Sequence, residues 1–175
     1  MKYYIRKITP SKFPRPEDEY ISSVENLQAD AVGDIRTSRN TLSIWEVDSH
    51  DDISLDDGVF ALITSPAQSS LDKVDFIIFS EQELEKYNLK LIRTDGDTLV
   101  NDLKCKHRDI VELTYGSMRG ILEIISKKTI AGDYNRRTKA QIKKILESNF
   151  NRIEDIDRFN EGSFLNELKK IEQSL

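Results

Sequence analysis

One cysteine, two histidines, one tryptophan and four prolines stand in 175 residues. The single Cys105 forms no internal disulfide, so the fold does not depend on an oxidising compartment. No apolar run approaches the roughly 20 residues that a membrane-spanning helix needs. The opening Met-Lys-Tyr-Tyr-Ile-Arg-Lys-Ile lacks the apolar core of a signal peptide. Cytoplasmic residence without membrane contact is the expectation. The phosphate-loop motif, the dinucleotide fingerprint, zinc-ligand spacing and the nucleophile elbow are all missing, so no cofactor and no metal is expected. Three of the prolines, Pro10, Pro14 and Pro16, crowd into residues 9–19, which read as an extended loop rather than a helix.

Charge is plentiful. At 33% charged and 38% hydrophobic residues the chain is long enough to bury a sizeable core. Its net charge of −5 argues against a dedicated duplex-DNA binder. The average conceals two opposite regions. Residues 15–57 hold twelve Asp and Glu against Arg15, Arg36 and Arg39, whereas residues 127–144 hold seven bases against Asp133. Such a chain either pairs its halves internally or presents opposite faces to different partners.

Periodicity predicts strands at 2–8, 42–47, 74–79 and 89–93. The run Val74–Phe79 is nearly all apolar, as for a strand buried on both faces. Tyr20–Ala31 is ambiguous, with Ser22 or Ser23 able to cap a short helix, and Gly33 marks a turn. Ser54 and Asp57 form a helix-start signature before a helix over 55–64; Ser80 and Glu83 form another before a short helix to Tyr87. The strand–helix–strand stretch 74–93 is compact for a parallel crossover. Apolar residues at helical spacing predict the longest helix from His107 to Lys128, with Gly116 and Gly120 on one face for close packing against the sheet. Amphipathic helices follow at 138–150 and 163–173. The expected fold is α/β or α+β: a small mixed sheet covered by helices, with a helical C-terminal extension. The division expected is a core of residues 1–131 and a charged helical extension of 132–175, packed on the core or on a partner.

Four clusters carry candidate chemistry. Asp48-Ser-His50 after a strand resembles the first metal motif of binuclear metallophosphoesterases, but the further histidines and later motifs of that family are missing. His107-Arg-Asp109 resembles the protein-kinase catalytic loop only over three residues; His107 reads instead as a half-exposed group at a helix N-terminus, able to act as an acid or base. Asp34, Arg36, Arg39 and Asn40 form a doubly basic turn beside Trp45, suited to an anion or a partner's carboxylate. Lys127, Lys128, Arg136, Arg137, Lys139, Lys143 and Lys144 form a basic run that suits nucleic-acid phosphates or an acidic protein face.

The missing catalytic set and the bipolar charge favour a non-catalytic interaction subunit of a bacterial-type cytoplasmic assembly, such as an adaptor, antitoxin-like or immunity-like protein. One alternative is a small enzyme acting on a phosphate-bearing substrate, with Arg36 and Arg39 holding the phosphate, His107 as acid or base and Asp34 orienting. The other is a nucleic-acid-binding accessory subunit that uses residues 127–144.

Overall fold

The computed structural model describes residues 1–15, 27, 29–35 and 37–174. Six strands form one sheet: β1 (Tyr3–Ile8), β2 (Leu42–Val47), β3 (Val74–Ser80), β4 (Lys90–Arg93), β5 (His107–Val111) and β6 (Asn135–Arg137). Their order is β4-β5-β2-β1-β3-β6, and every neighbouring pair is antiparallel. Helices α1 (Ala29–Asp34), α2 (Asp52–Ile63), α3 (Glu81–Lys86), α4 (Asn101–Lys104), α5 (Tyr115–Ile130), α6 (Lys139–Asn149) and α7 (Ser163–Ser174) accompany the sheet, with short 3-10 turns at Pro10–Lys12, Phe150–Arg152 and Ile156–Arg158. The expected sheet covered by helices is present, with a helical C-terminal segment, and its described ladders are all antiparallel rather than mixed.

Side chains alternate across a strand, so the central strands bury two separate sets. On one face Ile5, Trp45, Val47, Val74 and Phe76 pack with residues of α2, α6 and α7. On the other, Tyr4, Ile8, Leu42, Ile44, Ile77, Phe79 and Ile110 pack with residues of α1 and α5. Two cores therefore sit back to back through the sheet, which is why β3 reads as a nearly continuous apolar run, broken only by Asp75 between Val74 and Phe79.

Several expectations are corrected. The segment from His107 is not the start of a helix. His107–Val111 pairs with both β2 and β4 as a strand, and α5 begins only at Tyr115, capped by Thr114 and Ser117. The stretch 74–93 is no parallel crossover between neighbours, because β1, β2 and β5 lie between β3 and β4. Helix α2 is capped by Asp51, whose carboxylate accepts from the Ser54 amide; the Ser54 hydroxyl instead accepts from the amides of Asp48 and Ser49. The Ser80–Glu83 capping box forms as expected. Gly33 and Asp34 belong to α1 rather than to a turn. Most of the ambiguous 20–31 stretch lies outside the described residues, as does Arg36.

Residues 132–174 share the fold of the rest. Strand β6 pairs with β3, α6 packs on α2, and Phe164, Leu165, Leu168 and Ile171 of α7 enter the first core. Gly58 lets α2 approach the sheet, since a Cβ there would lie 2.6 Å from Ile5 and 2.7 Å from Val47. Gly120 admits the Tyr87 ring rather than the sheet, whereas Gly116 faces nothing closer than its own helix cap.

Candidate functional site

The His107 ring is buried and shares a sheet face with Trp45, its partner across the β2–β5 ladder; their rings meet edge-on at 5.0 Å. Trp45 in turn lies on Gly96, where a Cβ would come within 2.2 Å of the indole. Trp45 is therefore a core residue. Thr94 donates its hydroxyl to Asp109 at 2.8 Å, so at the 2.7 Å contact with His107 it accepts from Nδ1–H. Ser43 donates to the other Asp109 oxygen at 3.2 Å. This polar chain orients the imidazole, and burial pushes its pKa below the ordinary histidine value, against the opposing pull of Asp109.

Asp34 lies on the opposite side of the sheet. Its carboxylate accepts from the Thr9 amide at 2.9 Å and pairs with Lys12 at 3.4 Å, fastening the end of α1 to the exit of β1. It also opposes the burial that pushes the Arg6 guanidinium down to about 10. Asp34 and His107 thus do not share one face.

Arg39 and Asn40 form the tip of a tight turn. Ser38 and Thr41 exchange backbone hydrogen bonds at 3.3 and 3.0 Å, and the two residues between them hold φ of +53° and +60°. Two successive left-handed residues match the twist of a hairpin. Asparagine accepts that conformation readily; arginine there costs about 1 kcal/mol. The Asn40 carbonyl accepts from the Leu113 amide, which ties the turn to the segment leading into α5. Tyr115, the first residue of that helix, is 91% exposed.

The basic run does not form one face. Arg136 and Arg137 are adjacent on a strand, so they point to opposite sides of the sheet. Arg136 binds Asp75 through Nε at 2.5 Å and Nη2 at 3.3 Å. Arg137 grips Asp56 at 2.6 Å and Asp52 at 2.9 Å at the start of α2, with its guanidinium over the Phe76 ring. Lys127 pairs with Glu123, Lys128 with Glu83 and Asp133, and Lys143 with Glu167. Lys139 and Lys144 are exposed on α6. Most of the run is thus paired with the chain's own acids.

A cleft of about 440 Å³ opens between the turn after β1, the start of β3, the end of α5 and β6. Lys73, Arg136 and Arg15 contribute cations, and Pro10, Pro14 and Tyr134 contribute apolar wall. Its floor is Asp75, only 5% exposed. Sequence reasoning passed over Lys73, Asp75 and the exposed Tyr115. The available signal was Asp75 itself, a carboxylate inside an apolar strand, which demands a cationic partner.

Among the described residues no group of three or more His, Cys, Asp or Glu side chains is placed to hold a metal ion, and no helix is long and apolar enough to cross a membrane. Comparison with family models, with curated proteins and with solved structures finds no match.

Proposed function

We propose that this protein is a non-catalytic interaction subunit, of the adaptor, antitoxin-like or immunity-like kind, that docks on a partner protein through the Arg39–Asn40 tip and the adjoining Tyr115. One observation carries the reading: arginine holds a left-handed backbone at an exposed turn where glycine would fit without strain. Unfavourable backbone geometry at an exposed tip is a common mark of a functional position. Arginine and tyrosine are also the side chains that anchor protein interfaces most often. The guanidinium suits a carboxylate on the partner.

The test separates docking from folding. Arg39→Gly with Asn40→Gly removes both side chains from positions whose φ glycine adopts freely, so stability should change by less than about 1 kcal/mol. Wild-type protein purified from native extract at low salt should carry a stoichiometric partner that the double variant lacks. A wild-type monomer with no partner, or a partner retained by the variant, would sink the proposal.

A further inference from the structure

The cleft beside β6 shares no lining residue with that docking tip, and its chemistry is different. Lys73 and Arg136 both pair with the single buried carboxylate of Asp75, at 3.8 and 2.5 Å, so two positive charges meet one negative charge. Arg136 reaches Asp75 side-on, through Nε and Nη2. That geometry leaves its end-on fork, Nη1 and the second Nη2 hydrogen, turned away from the carboxylate, and such a fork binds a second oxyanion bidentately. The buried carboxylate fixes the guanidinium plane beforehand, which lowers the ordering cost of binding. Thr9 and Ser11 bring hydroxyls to the wall. A phosphate offers three terminal oxygens and can meet fork, ammonium and hydroxyl together; a carboxylate offers two. The volume of about 440 Å³ is more than a lone ion requires and falls within the range of small-molecule sites. Beyond the cations, the Tyr134 ring and the prolines give an organic body somewhere apolar to lie.

We propose that this cleft binds an organic phosphate monoester, with the phosphate between Arg136 and Lys73 and the organic group against Tyr134.

Calorimetric titration of the intact chain at low ionic strength, with inorganic phosphate, phenyl phosphate and benzoate, tests this. Phenyl phosphate should bind saturably and more tightly than inorganic phosphate, and benzoate should bind least. Lys73→Gln leaves the Arg136–Asp75 pair in place and should weaken phenyl phosphate about tenfold, the usual size of one charge-assisted contact. Lys139→Gln, on an exposed position of α6 away from the lining, should change nothing. Backbone amide shifts on wild-type protein provide a reading that needs no variant: phenyl phosphate should move Thr9, Ser11 and residues 134–136. No saturable binding, benzoate matching phenyl phosphate, a folded Lys73→Gln variant of unchanged affinity, or shifts confined elsewhere would each overturn the assignment.

Discussion

His107 holds its ring between Trp45 and the Thr94–Asp109 pair, and its place in the interior has a pH consequence. Burial lowers its pKa from the ordinary 6.5. As pH falls the unfolded chain takes up this proton before the folded chain does. The histidine's contribution to stability is therefore complete above about 6.5 and is lost progressively below it, until the folded-state pKa is passed. Urea midpoints measured from about pH 7.5 to pH 5 should fall more steeply for wild type than for His107→Gln. Parallel curves would show that another group controls acid stability. The sequence showed the histidine and its neighbours but not their setting. Polar His107-Arg-Asp109 gives no alternating pattern, and Ile110 and Leu113 fit a helical stripe that continues into the real helix. Only pairing with β2 and β4, both distant in sequence, makes this segment a strand.

At the scale of elements, legibility followed the locality of the forces. Val74–Phe79 and the Ser80–Glu83 box were readable because burial on both faces and capping leave their marks within a few residues. Strand β6 was not, because three polar residues carry no periodicity and are held by a ladder to β3 and by side chains from α2. Arg137 is the main tie. Its side chain is buried, lies over Phe76 and joins β6 to two acids of α2, 81 and 85 residues away. Arg137→Ala removes that packing and leaves two acids at the helix start without their cation. A loss of roughly 2–3 kcal/mol is expected, read as a lower denaturation midpoint. Arg137→Lys should recover only part of it, because a single ammonium cannot reproduce the fork. The cleft was illegible for the same reason as β6: its lining comes from residues 9–15, 73–75 and 129–136, and no local pattern links them.

Across the whole molecule, the bipolar charge of the sequence turns inward. Arg136, Arg137 and Arg152 pair with acids of the N-terminal half, Asp75, Asp52 with Asp56, and Asp57, whereas Lys143 pairs within the C-terminal part, with Glu167, so the basic run is neutralised partly across the chain and partly by its own neighbours. The apolar surfaces are equally shared: Ile142, Ile145, Leu146 and the α7 residues lie in the same core as Ile5, Phe60 and Phe76. A chain ended at Ala131 would expose that side of α2 and β3. It should lose cooperative thermal unfolding and aggregate, whereas the full chain should melt in one transition. A soluble, cooperatively folded 1–131 fragment would contradict this. The edge contact between Trp45 and His107 gives the intact molecule one more property. Trp45 is the only indole in the chain, so its fluorescence comes from a single known environment. Imidazolium quenches indole emission far more than neutral imidazole does. The protein thus carries a built-in optical probe, in which one emission band reports both the unfolding of the sheet and the proton on its buried histidine.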